Sequence, residues 1–173
     1  MKIANTQGKT SKFSVLMLFV GISSLLGGSF SCAENVESGF KAYERGDFSN
    51  AMRMFRLLAE QGDSAAQYNL GVMYHNGQGV PQDYKKAIKW YRKSAEQGNI
   101  LGQSNLGLMY ATGRGVPQEN IYAHMWWSIA ASSGETTAAA TNRDKVVEEM
   151  TTDQIAQAQR LARECVKKNY KGC

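Results

Sequence analysis

Ser38-x-x-Lys41 is the pair whose types and spacing could do chemistry. A serine nucleophile one helical turn from a lysine is the first element of the serine penicillin-recognising enzymes. That chemistry also needs S-D-N and K-T-G elements, and the chain contains neither. Gly8-Lys9-Thr10 looks like the end of a phosphate-binding loop, but the glycine due five positions earlier is Ile3. His75 and His124 have no metal-ligand spacing to each other or to a cysteine. Trp90, Trp126 and Trp127 could stack on a ring ligand, yet they stand at the spacing of helix packing. No catalytic, cofactor or metal set emerges, and the chain is expected not to be an enzyme.

The elements that position these residues come from an internal repeat. Ser64–Asn99 and Ile100–Glu135 align without a gap at a spacing of 36 residues, with 15 identities. A period of this length marks a solenoid whose units bury their apolar faces only against neighbours. Each unit reads as two helices. Leu70, Met73 and Tyr74, like Leu106, Met109 and Tyr110, recur at helical spacing in the first. Gly71 and Gly107 lie inside these helices, where glycine costs about 1 kcal/mol against alanine; a close helix neighbour would explain them. Ala87, Trp90, Tyr91 and Ala95, matched by Ala123, Trp126, Trp127 and Ala131, form the second helix. Gly77-x-Gly79-Val80-Pro81 and Gly113-x-Gly115-Val116-Pro117 connect the two, and Gly98 and Gly134 are expected to be left-handed helix caps.

The fold class expected is all-α, a right-handed α-α solenoid. Its parts are a signal peptide (1–33), a shortened first repeat (34–63), two full repeats (64–99 and 100–135) and a helical cap (136–173). The first unit has a helix around Val36–Arg45 and a short Gly46-Asp47 turn in place of the glycine-rich loop. The cap reads as two helices, the second opened by Thr151-x-x-Gln154 and carrying Ile155, Ala158, Leu161, Ala162 and Cys165 on one stripe.

Lys2, Lys9 and Lys12 precede the apolar run Phe13–Leu26, and small residues lead to Ala33. This is the layout of a secretory signal cleaved after Ala33, and the run is too short for a membrane span. A lipid anchor on Cys32 is the minor alternative. Removing three lysines and no acid reduces the net charge from +5 to +2, so the basic balance is no nucleic-acid footprint. Arg160, Arg163, Lys167, Lys168 and Lys171 read as a solvated helix end. A secreted or periplasmic chain would oxidise Cys165 and Cys173 to a disulfide. An unbroken helix would hold them about 12 Å apart, so the helix must end between them, where Asn169 and Gly172 can turn it.

Leu70-Gly71-x-x-Tyr74, Gly77-x-Gly79-Val80, Ala87-x-x-Trp90-Tyr91 and Ala95-x-x-Gly98, repeated from Leu106 to Gly134, resemble the Sel-one-like repeat family, relatives of the tetratricopeptide repeats. The resemblance covers about Val36–Glu135, and the first unit, lacking the loop, is closer to a tetratricopeptide unit. Asp144–Ala162 resembles the tails that close bacterial members. The resemblance implies an adaptor or scaffold for protein complexes, here of the cell envelope. It also implies an alternative, since some cysteine-rich relatives are β-lactamase-like; a small peptidoglycan-directed hydrolase belongs to the same class. By analogy with tetratricopeptide grooves, Tyr68, Asn69, Val72, His75, Ser104, Asn105, Leu108 and Thr112 would line a concave face that takes a protein or peptide partner. The competing reading has Asn69 and Asn105 bonding backbone between repeats.

Overall fold

The computed structural model describes residues 27–134 and 137–173. Among them every regular element is a helix: α1 (Gly27–Glu44), α2 (Phe48–Glu60), α3 (Ser64–Asn76), α4 (Tyr84–Ala95), α5 (Ile100–Thr112), α6 (Asn120–Ala131), α7 (Thr137–Val147) and α8 (Thr152–Lys167). Each helix from α1 to α6 packs on the next, and α8 folds back onto α6. The result is an all-α helical repeat solenoid with one cap helix out of sequence order.

The helix starts are written in side chains. Asp47, Asp63, Asp83 and Asn99 each accept a hydrogen bond from the backbone N–H three residues on, satisfying one donor that the first turn leaves orphaned. Thr151 and Gln154 form the reciprocal capping box expected for α8. Gly77 and Gly113 are the left-handed caps of α3 and α5. Gly98 and Gly134 also take positive φ, but the cap residues of α4 and α6 are the right-handed Glu96 and Ser132. Those two glycines reverse the chain two residues later, where the next connection needs it.

Packing explains the glycines within helices. A Cβ on Gly71 would lie 2.6 Å from the Tyr91 ring, and one on Gly107 would lie 2.8 Å from the Trp127 indole nitrogen. The first helix of each unit therefore touches the second through bare backbone. Gly39 does the same in the first unit, where a Cβ would meet the Phe55 ring at 2.8 Å. Gly39 thus takes the place of Gly71, with a connection four residues shorter (16 against 20 residues to the ring). That register puts Ser38 in the position that buried Leu70 and Leu106 hold in the full units.

Units are stitched to one another in two ways. Buried Gln67 donates to the Ala59 carbonyl (3.1 Å) and buried Gln103 to that of Ala95 (3.3 Å), each a second bond to a helix-end acceptor that also takes the N–H of Gly62 or Gly98. The glycine-rich loops rest on the preceding unit, for a Cβ on Gly79 would lie 2.7 Å from the Phe48 carbonyl oxygen. The core runs in two linked clusters, one around Phe55, Leu58, Leu70 and Met73, the other around Tyr91, Met109, Trp126 and Trp127. Each large side chain fully buried there stabilises by roughly 1.5–3 kcal/mol. Trp126 and Trp127 are buried in this core, as their spacing suggests, and half-buried Trp90 packs against its edge with the Lys93 ammonium 4.6 Å from its ring.

α1 begins at Gly27, nine residues before the start that the repeat phase suggested, since phase reports only the packed part around Gly39 and Ala42. Residues 27–33 of the proposed leader lie in this helix, and its charged and apolar segments (1–26) lie outside the described residues. Cys165 and Cys173 are joined in a disulfide with their Cα atoms 5.7 Å apart. The chain turns between them through Asn169 and Tyr170, both with positive φ.

Candidate functional site

The eight residues expected to line a groove fall on α3 and α5, the first helices of the two full units. Tyr68, Val72 and His75 share a stripe of α3, and Asn105, Leu108 and Thr112 share the matching stripe of α5. All but Thr112 are half-buried. The two helices come nearest at Tyr68 and Asn105, where the Asn105 side chain approaches the Tyr68 hydroxyl. Burial raises the Tyr68 pKa, against a smaller opposing pull from Asn105.

Behind Tyr68 the chemistry continues. Its ring lies 6.1 Å from that of Tyr91, and the Tyr91 hydroxyl sits 3.4 Å from His75 Nδ1. The His75 ring meets Tyr84 edge-on at 5.3 Å, and the Arg114 guanidinium lies over Tyr84 at 5.7 Å. Burial lowers the His75 pKa, and the positive charge of Arg114 adds to the effect. Burial also raises the Tyr91 hydroxyl. A run of polar-tipped rings therefore extends from Asn105 to Arg114, with Val72 and Leu108 as half-buried apolar contacts beside it.

The other expected positions have local duties. Asn69 donates to the Ala65 carbonyl of its own helix (2.8 Å), not to another repeat. Ser104 takes part through its carbonyl, which accepts the Trp127 indole N–H at 2.9 Å. Thr112 is exposed and donates to the Leu108 carbonyl (2.8 Å). His124 is buried in α6, where it faces the Ser128 hydroxyl at 3.3 Å and burial lowers its pKa. Lys41 lies on an exposed surface, 3.4 Å from Glu37. Among the described residues, no cluster of three or more His, Cys, Asp or Glu side chains is arranged to hold a metal, and no helix is long and apolar enough to cross a membrane.

Sequence reasoning passed over Tyr84, Tyr91 and Arg114. A usable signal existed. Tyr68 stands against Ser104 in the other copy, His75 against Ala111, Tyr84 against Asn120 and Arg114 against Gln78. These are positions at which the two copies disagree, as they must when one unit carries a surface that the other does not.

The Sel1 repeat model matches residues 37–63, 64–99 and 100–135. A solved protective antigen of uropathogenic Escherichia coli strains, described as displaying an SLR fold, superposes with a TM-score of 0.76 at 28% identity. The match covers 80% of this chain and 31% of that one. A Sel1 repeat protein from Oxalobacter formigenes superposes with a TM-score of 0.62 at 30% identity, covering 75% of this chain and 53% of the other. A curated protein of Rhizobium leguminosarum bv. viciae named exopolysaccharide production negative regulator is 42% identical over 45 residues, 26% of this chain and 17% of its own. This chain thus spans only part of each protein it resembles. Proteins built from these repeats generally mediate protein–protein interaction. Three tandem matches over more than half of its length make this chain a member of the Sel1 repeat family.

Proposed function

We propose that this protein is a non-catalytic scaffold of the bacterial cell envelope that binds a protein partner on the face made by α3 and α5. The observation that carries the reading is the approach of the Asn105 side chain to the Tyr68 hydroxyl, which sets the first helices of successive units side by side. Half-buried Val72 and Leu108 on that surface offer apolar area, and the tyrosines and His75 offer polar tips, a mixture suited to an extended or helical peptide. The Cys165–Cys173 disulfide supports an oxidising compartment, and the leader-like segment 1–33 supports export, with Cys32 as an alternative anchor point.

The test is a crosslinking pull-down from the envelope fraction with the parent chain and with Tyr68→Ala/Asn105→Ala. The reading expects at least one partner to be lost with the double variant while its helical circular dichroism is unchanged. An identical set of captured proteins would refute the assigned face. The non-catalytic part has its own check in nitrocefin turnover, where activity abolished by Ser38→Ala would overturn it. Placing Ser38 in the packed register of Leu70 and Leu106 argues against that outcome.

A further inference from the structure

A second recess lies away from α3 and α5, between α6 and the returning cap helix α8. It has a volume of about 500 Å³ and an apolar floor of Ile129, Ala162 and Val166. Val166 is 45% exposed, although it sits on the helix stripe that packs the cap. The hydroxyls on the α6 wall are engaged by α6 itself, Ser132 donating to the Ile129 carbonyl and Ser128 facing His124. The charged rim therefore comes from α8 alone, as Arg163 and Lys167. Neither has a carboxylate within ion-pair distance among the described residues, whereas Arg160 on the same helix has Glu164 at 4.0 Å.

We infer that this recess is a docking site for an acidic amphipathic helix of another protein. Charge and shape select that occupant. Arg163 and Lys167 stand one helical turn apart, about 6 Å along α8, which matches carboxylates one turn apart on a partner helix beside its apolar anchors. A second copy of this chain would set the same two cations against themselves. The chain's own leader segment carries Lys2, Lys9 and Lys12 and no acid, so it is repelled as well. A bilayer would need apolar side chains that protrude, and here the apolar surface is recessed between two helices.

The test pans a phage-displayed library of random peptides of about 18 residues, long enough to form a helix, on the folded full chain. Enriched peptides are expected to place two acidic residues one turn apart beside large apolar ones. Fluorescence anisotropy with one enriched peptide should show about tenfold weaker binding to Val166→Glu and to Arg163→Glu/Lys167→Glu, and weakening with added salt. Tyr68→Ala/Asn105→Ala should bind it as the parent does, which separates this site from the α3–α5 face. Far-ultraviolet melting checks the variants, with Val166→Ser replacing any that has lost its fold. Enrichment of basic or uncharged peptides, or no enrichment over Val166→Glu, would overturn the inference. Binding of anionic phosphatidylglycerol vesicles that depends on Val166, or a dimer that Val166→Glu dissolves, would also overturn it by assigning the recess to a lipid or a second copy.

Discussion

Gly107→Ala puts the packing logic of the repeat at risk with a single methyl group. Inside a helix, alanine should stabilise by about 1 kcal/mol relative to glycine. Here the new Cβ would lie 2.8 Å from Trp127 Nε1 and 2.9 Å from Cδ1. Ordinary contact between such atoms is about 3.5–4 Å, so the indole must recede. It has nowhere to go, since Trp127 is 4% exposed and Trp126 beside it is fully buried. Recession would also stretch the 2.9 Å bond from the indole to the Ser104 carbonyl. Overpacking costs about 1–3 kcal/mol and a damaged buried hydrogen bond about 1–3 kcal/mol. Against the helix gain, the net is a destabilisation of about 2 kcal/mol or more, a fall in Tm of about 5–10 °C for a domain of this size. Thermal denaturation by circular dichroism measures it. A cycle with Trp127→Leu sharpens the attribution, because the leucine should cost at least about 1 kcal/mol less in the alanine background than in the parent. An unchanged or raised Tm for Gly107→Ala, or strict additivity in the cycle, would refute the close-approach argument.

Gln67→Ala should cost about 0.5–1.5 kcal/mol in chemical denaturation because it removes the side-chain bond to the Ala59 carbonyl, which keeps only the Gly62 N–H; a loss below a few tenths would mean water replaces the bond. Reducing the Cys165–Cys173 disulfide should lower stability by about 2–3 kcal/mol from loop closure alone, and an unchanged Tm in reductant would contradict a structural role. Stability should decline as pH falls below the ordinary histidine range of about 6.5. His75 and His124 have lowered pKa values in the fold, so the unfolded chain binds protons there that the folded chain refuses. His75→Gln/His124→Gln should flatten the slope between about pH 7 and 5, and an unaltered slope would assign it elsewhere. Asp47 and Asp83, held low by their helix-capping hydrogen bonds to Asn50 and Lys86, act only in the separate window below about pH 4.

How much was legible in the chain follows from where the two full copies agree. Agreement at Gly71/Gly107, Gln67/Gln103 and Gly79/Gly115 marks contacts that both full units make, and from these the helix pairs and their connections could be read. The role of the glutamines was not legible, since a buried donor to a helix end has no periodic signature of its own. Gly39 was hidden by the four-residue deletion that shifts the first unit out of phase. The candidate site was only half visible. Tyr68, Val72, His75, Asn105 and Leu108 came from the helix face, but Tyr84 and Arg114 join them through loop and neighbour geometry that spacing does not encode. The recess beside α8 was invisible because the cap leaves the period and returns to α6 instead of stacking onward.

Site-specific photocrosslinking in cells bears most directly on the claim that the α3–α5 face binds protein. A photoreactive residue at Val72 or Leu108, both half-buried on that face, is compared with one at Lys89, exposed on α4. A shared, discrete protein adduct is expected from Val72 and Leu108, absent from Lys89 and lost in the Tyr68→Ala/Asn105→Ala background. Adducts only from Lys89, or the same adducts from all three positions, would contradict it.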